Sequence, residues 1–256
     1  MMQLIDTHSH IYLKHFDNDI DQVIERARNE HITTIVLPNI DSTTIEPLHS
    51  LVSKYPDCLV PLMGLHPTHV KENFREELEK VKLQLEKYKY KGIGEIGIDL
   101  YRDKSFFEQQ VYVFEQQLVL AISKNLPVVI HARVSFNEIM QIVRKKEYKN
   151  LRGIFHAFTG NKELANEIIN MGFMIGVGGI LTFKNSGLSE TVEAIDINHI
   201  VVETDSPYLT PIPFRGKRNE SSYLKFVIEK LAEVKNLTID EVAKITTKNA
   251  IDVFGL

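Results

Sequence analysis

A single cysteine, no run of eighteen apolar residues and no surplus of positive charge are the first facts of this sequence. One thiol, Cys58, excludes an internal disulfide, and its apolar neighbours Leu59 and Val60 predict a reduced, buried side chain. Without a long apolar run no membrane-spanning helix is expected. Met1 to His10 lacks the basic start and apolar centre of a signal peptide, so the reading is a soluble, cytoplasmic protein with no membrane partner. Lys plus Arg total 30 against 34 Asp plus Glu, a net charge of −4. That balance cannot coat nucleic acid by bulk electrostatics, so any such substrate must be held by a local basic patch. Pro/Gly/Ser linkers, internal repeats and low-complexity tracts are also missing, which predicts one domain over residues 1–256. Nothing calls for an obligate protein partner.

What is present is core material. The chain is 43% hydrophobic and 25% charged, which excludes a disordered or fibrous protein. Short apolar runs alternate with helix-period segments throughout. Candidate strands are Leu4–His8, Thr34–Pro38, Leu59–Leu65, Gly92–Ile98, Val128–His131, Gly153–Ala157, Phe173–Gly178 and Ile200–Asp205. Between them lie helical stripes such as Ile20, Val23, Ile24 and Ala27, or Phe74, Leu78, Val81, Leu85 and Tyr88. Ser135 with Glu138, and Thr238 with Glu241, read as capping boxes; Asn161 reads as an N-cap and Gly172 as a helix stop. Eight β units alternating with helices over about 250 residues predict an α/β protein, a (β/α)8 TIM barrel, with an open doubly wound sheet as the rival. Thr238 to Phe254 follows the eighth unit as an extra C-terminal helix, expected to pack on the barrel wall.

The chemistry-bearing residues fall at the ends of those strands. His8 and His10 share a strand face, with Cα atoms roughly 6–7 Å apart, so both imidazoles can reach one ion. Glu95 lies in strand four, and His131, His156 and Asp205 end strands five, six and eight. In a parallel barrel these ends meet at one rim, where active sites are built. Each polar group follows an apolar run, where burial without a partner is costly. Four His and two carboxylates exceed the needs of one tetrahedral zinc and fit two divalent ions, Zn, Mn or Mg, with Glu95 as the shared bridge. Asp205 is the expected proton acceptor. Asp6 and Glu203 have the strand parity of His8 and Asp205 and should point inward below the ions; either would orient a ligand, with a backbone hydrogen bond as the alternative for Asp6. His66, just past strand three, reads as a substrate contact. Arg133 and Arg215, the latter with Lys217 and Arg218, argue for an anionic substrate, since planar guanidinium suits phosphate oxygens. Gly176, Gly178 and Gly179 serve either a phosphate or tight packing. Phe183 and Tyr208 read as packing residues rather than base-stacking ones.

Asp-Thr-His-Ser-His, Gly-Leu-His-Pro, Gly-Glu-Ile-Gly-Ile-Asp, Leu-Pro-Val-Val-Ile-His-Ala-Arg, Gly-Ile-Phe-His-Ala-Phe-Thr-Gly and Glu-Thr-Asp-Ser-Pro-Tyr-Leu-Thr-Pro together resemble the TatD family of metal-dependent deoxyribonucleases, a branch of the amidohydrolase-like hydrolases. The likeness runs from about Leu4 to Phe254 and continues in Pro213 to Glu220. It implies a (β/α)8 barrel, His8, His10, Glu95 and Asp205 on one ion, and Glu95, His131 and His156 on the other. It also implies a DNA substrate, in some members by 3′→5′ exonuclease action. Ala157 and Thr159 stand where many members carry Cys and Ser, and Ser221 where Pro is usual; none is a ligand. The expected reaction is phosphodiester hydrolysis by a metal-activated water. The rivals are a hydrolase of non-phosphate esters, amides or lactones, disfavoured by the Arg cluster, and a non-catalytic metal- or nucleic-acid-binding protein, disfavoured by the intact ligand set.

Overall fold

Apolar runs of three to seven residues, rich in Ile, Val and Leu, form eight parallel strands, as suits strands covered on both faces. The computed structural model describes residues 3–256. The strands are β1 (Leu4–Asp6), β2 (Ile32–Pro38), β3 (Leu59–Leu62), β4 (Ile93–Asp99), β5 (Val128–Arg133), β6 (Gly153–Phe155), β7 (Phe173–Val177) and β8 (Ile200–Val202). The helices that follow them are α1 (Ile20–Asn29), α2 (Ile45–Lys54), α3 (Phe74–Lys87), α4 (Phe107–Lys124), α5 (Phe136–Val143), α6 (Lys162–Asn170), α7 (Leu188–Ala194) and α8 (Leu224–Lys235), with α9 (Ile239–Phe254) added at the end. No helix among the described residues is long and apolar enough to cross a membrane.

Ladder hydrogen bonds define a three-stranded sheet, β1 to β3, and a five-stranded sheet, β4 to β8. Both seams between them are bonded. Met63 bridges Ile93, with the Gly94 N–H on Met63 O at 3.1 Å; Ser9 bridges Ser206, with the Asp205 N–H on His8 O at 2.8 Å. The sheet returns to its first strand and the barrel closes. An open doubly wound sheet would leave two unpaired edge strands, whereas every strand here has a neighbour on both sides, and that alternative falls.

The barrel interior below the rim is a separate apolar layer. Ile5, Val36, Leu62, Val129, Ile154 and Val201, one from each of six strands, pack together with Ala250, Val253 and Phe254 of α9. Gly94 holds the place of β4 in this layer, because a Cβ there would stand 2.8 Å from Val129 Cβ. The end of α9 therefore plugs the lower mouth of the barrel rather than only lining its wall. Periodicity shows that a helix has an apolar stripe, not which surface the stripe covers. The Thr238–Glu241 capping box forms as expected, and Asn161 caps α6 through the Leu164 N–H. The Ser135 box does not form: its hydroxyl donates to Ile98 O at 2.5 Å, tying α5 to the end of β4.

Five strands, β1, β3, β6, β7 and β8, stop short of their expected ends, and at three of them this moves a candidate donor off the ladder. β1 ends at Asp6, β6 at Phe155 and β8 at Val202, leaving His8, His156 and Asp205 on loop backbone. Asp205 has φ 57 and Ala157 φ 44, in the left-handed region that non-glycine residues seldom occupy. The chain leaves the ladder here and folds over the barrel mouth, so strand parity does not carry through to these side chains.

Candidate metal centre and its cavity

Glu95 is the centre of the site. It lies in β4, is 2% exposed, and divides its two oxygens between two groups of imidazoles. Oε2 lies 3.1 Å from His8 Nε2 and 3.3 Å from His10 Nε2, and Asp205 Oδ1 stands 3.7 and 3.6 Å from the same two nitrogens. Oε1 lies 2.8 Å from both His131 Nδ1 and His156 Nε2, which are themselves 3.4 Å apart, and 3.2 Å from His66 Nε2. Two donors each about 2.0–2.2 Å from one ion at a tetrahedral angle are separated by roughly 3.3–3.6 Å. The spacings in the site have the size of the edges of such a polyhedron. Two nitrogens 3.1 Å apart, His8 Nε2 and His10 Nε2, converge on carboxylate oxygens as ligands of a cation do. The donor set, imidazole and carboxylate with no thiol, suits a divalent ion, and the residues present fit one.

Neighbouring groups fix how the imidazoles face. Tyr12 donates its hydroxyl to Pro38 O at 2.5 Å, so at 2.8 Å it accepts from His10 Nδ1–H and leaves His10 Nε2 a lone pair toward Glu95. The backbone N–H of Thr68 donates to His66 Nδ1 at 3.1 Å, which puts the proton of neutral His66 on Nε2. His66 thus presents a donor to the cavity, as a substrate contact would, although its distance to Glu95 and His131 would also suit a ligand. Glu203 accepts from the Ala157 N–H and lies 3.5 Å from His156 Nδ1. Gly176 makes room for it, since a Cβ there would meet Glu203 Oε2 at 2.6 Å. Gly179 packs more closely still, since a Cβ there would meet Leu209 O at 2.0 Å, so both glycines serve packing.

Asp6 does not point inward below the ligands. It accepts from the Thr204 N–H at 3.0 Å, the Thr204 hydroxyl at 2.6 Å, the Ser221 hydroxyl at 2.7 Å and the His8 N–H at 3.3 Å, and touches no imidazole. Ile5 takes the inward position instead. Asp6 pins the segment that carries Asp205 to β1, and Ser221 supplies one of its bonds.

Burial and mutual charge set the electrostatics. Burial alone would raise Glu95, but His66, His156 and His8 around it hold its carboxyl well below the ordinary range. Burial pushes His8 down, and neighbouring His156, stacked on it at 3.9 Å between ring centroids, adds to the shift. Burial lifts Asp205 to about 6 against the pull of His156 and His10, and lowers His66 to about 4 against that of Glu95.

Above these groups opens a cavity of about 820 Å³, lined by His66, Asp205, Tyr208 and three cations, Lys71, Arg102 and Arg133. Lys71 is paired with Asp103 at 3.1 Å. Arg133 stacks on Tyr101 at 4.0 Å, and among the described residues neither Arg102 nor Arg133 is paired with a carboxylate. The basic cluster after β8 is placed differently from expectation. Arg215 lies over Phe183 at 4.5 Å and is not part of the cavity wall; Lys217 lies over Phe214. Arg218 is bound to Asp19 at 2.7 Å in a network with Arg26 and Glu220 that fastens this loop to α1. Arg102, three residues past the end of β4, was detectable by the rule that found Arg133, since both lie at the rim end of a strand.

The family described as TatD related DNase matches residues 5–255. The chain is 40% identical to the metal-dependent hydrolase YabD of Bacillus subtilis, over 99% of both chains. It is 33% identical to a metal-dependent hydrolase of Methanocaldococcus jannaschii, over 99% of this chain and 97% of that one. Among crystal structures, YjjV, a TatD homologue from Escherichia coli K12, superposes with a TM-score of 0.93 at 27% identity, covering 100% of this chain and 99% of that one.

Proposed function

This chain belongs to the TatD family of metal-dependent hydrolases, and on that premise we propose that it cleaves phosphodiester bonds of DNA in the cavity above Glu95. The observation that carries the reading is the pair of guanidinium groups, Arg102 and Arg133, without carboxylate partners among the described residues and lining the same cavity as the buried donor set. Unpaired, planar cations beside a hydrolytic centre favour a substrate with anionic oxygens over a neutral ester, amide or lactone, whose carbonyl offers a weaker, single acceptor.

His8, His10, Glu95 and Asp205 would hold one divalent ion, and Glu95, His131 and His156 a second. When bound, such ions supply Lewis-acid neutralisation of phosphate charge and lower the pKa of water. The chain's own groups do the rest. Arg102 and Arg133 grip the scissile or adjacent phosphate. Asp205, on the cavity wall, takes the proton of the attacking water. His66 Nε2–H donates to a phosphate oxygen, and Tyr12 and Glu203 keep His10 and His156 facing inward. The test is metal-stripped protein reloaded separately with Zn²⁺, Mn²⁺ and Mg²⁺ and assayed on end-labelled single- and double-stranded DNA, beside a carboxyl ester and a lactone. Metal-dependent shortening of DNA is expected. Turnover of the ester or lactone with DNA left intact would overturn the reading.

A further inference from the structure

We infer that Asp99 is the positioning residue of His131: it fixes the imidazole tautomer that leaves Nδ1 free to ligate, and it ties that imidazole to the turn carrying Arg102. This rests on the proposed reading of His131 as a ligand. The Asp99 carboxylate ends β4, is 2% exposed, and both of its oxygens are engaged. Oδ2 lies 3.0 Å from His131 Nε2, on the side of the ring away from Glu95. Oδ1 accepts the N–H groups of Tyr101 and Arg102, each at 2.9 Å. The register of the barrel sets up the contact, because Gly97 and Asp99 of β4 lie opposite His131 and Arg133 of β5.

A carboxylate can only accept, so Nε2 must carry a proton. In the ion-free protein the ring can hold a second proton on Nδ1, shared with Glu95 Oε1 at 2.8 Å. A cation replaces that second proton, while Asp99 retains the first and keeps the Nδ1 lone pair aimed at the centre. The same carboxylate closes the Tyr101–Arg102 turn, so the residue that orients the ligand also seats one cation of the cavity.

Asp99→Asn separates the two duties. The amide oxygen keeps the two backbone N–H groups, but the amide nitrogen now donates toward Nε2. That contact is favourable only when Nε2 is unprotonated and the proton sits on Nδ1, the tautomer that cannot ligate. The experiment is ¹⁵N-histidine NMR of the full chain, with metal-free and Zn²⁺-titrated samples, and Zn²⁺ affinity by calorimetry for wild type and Asp99→Asn. In wild type the His131 Nδ1 resonance should move on Zn²⁺ addition while Nε2 stays protonated. Asp99→Asn should show the Nδ1-protonated ring and bind the weaker-held Zn²⁺ about 10–100-fold less tightly. If the wild-type His131 resonances ignore Zn²⁺, the ligand reading fails. If they respond but the wild-type ring ligates through Nε2, or Asp99→Asn binds Zn²⁺ as wild type does, the role of Asp99 is overturned. The wild-type spectrum decides the tautomer even if the variant fails to fold.

Discussion

Phe254→Ala isolates the floor of the barrel from the chemistry above it. The ring is 4% exposed and packs with Ala250 and Val253 onto the layer of Ile5, Val36, Leu62, Val129, Ile154 and Val201. A Phe of this kind hides roughly 150–250 Å². At about 25 cal/mol per Å² its burial contributes roughly 4–6 kcal/mol, of which Ala keeps the Cβ share. Losses for Phe→Ala in cores run at about 3–5 kcal/mol. Phe254 is the last residue of α9 and its backbone can shift to refill part of the space, so the low end, about 3 kcal/mol, is expected. In a chain of this size each kcal/mol moves the melting midpoint by about 2–4 °C, which gives a fall of about 6–12 °C. The assay is thermal unfolding followed by far-UV circular dichroism, with Leu256→Ala, at a residue 40% exposed, as the control. The control should move by about 2 °C or less. Zn²⁺ affinity measured well below the transition should be unchanged, because the donors sit at the opposite mouth. A Phe254→Ala midpoint no lower than that of the control would refute the reasoning, since α9 would then not seal the interior.

Asp205→Asn should leave fold and DNA binding in place while the cleavage rate falls by about two orders of magnitude, with metal content measured in parallel; near-normal turnover with metal retained would remove Asp205 from proton transfer. Arg102→Ala and Arg133→Ala should each flatten the log–log salt dependence of DNA binding by roughly 0.7–0.9, and Arg215→Ala should leave it unchanged; the opposite ranking would return the phosphate contact to the loop after β8. Asp41 is raised by burial, but its bond to His69 brings its carboxyl below the usual carboxylate range. A depressed folded value means that the pair adds stability above the unfolded pKa of about 4 and loses it as pH falls through the folded one. Urea unfolding of wild type and Asp41→Asn should therefore show a stability gap at neutral pH that narrows at about pH 3, and a gap independent of pH would reject the pair as its source.

The candidate donors were legible in the sequence because each lies within or within three residues of the end of an apolar strand run, and a closed parallel barrel brings those segments to one rim. His8, His10, Glu95, His131, His156 and Asp205 need no more than that rule. What lay outside it is local backbone. Asp6 turns outward because β1 stops before His8, and alternation predicts facing only while the ladder lasts. Arg215 sits ten residues beyond Asp205, on a loop whose path is set by ion pairs of Arg218 with Asp19 that join residues far apart in the chain. Tyr12 and Asp99 act through single hydrogen bonds to ring nitrogens, and nothing in composition or spacing distinguishes them from other buried polar residues.

The seam between β1 and β8 has a consequence for how the protein comes into being. The Thr7 hydroxyl donates to Val202 O across 195 residues of chain, and His8 and His10 meet Asp205 along the same line. On the ribosome the two imidazoles emerge at least 195 residues before the carboxylate, so a chain that has not reached Asp205 cannot complete the donor set. Contacts this far apart in sequence form late and slowly, after the local βα units have condensed. A fragment that stops before β8 lacks Asp205, so the finished site reports that the whole circle of strands has closed.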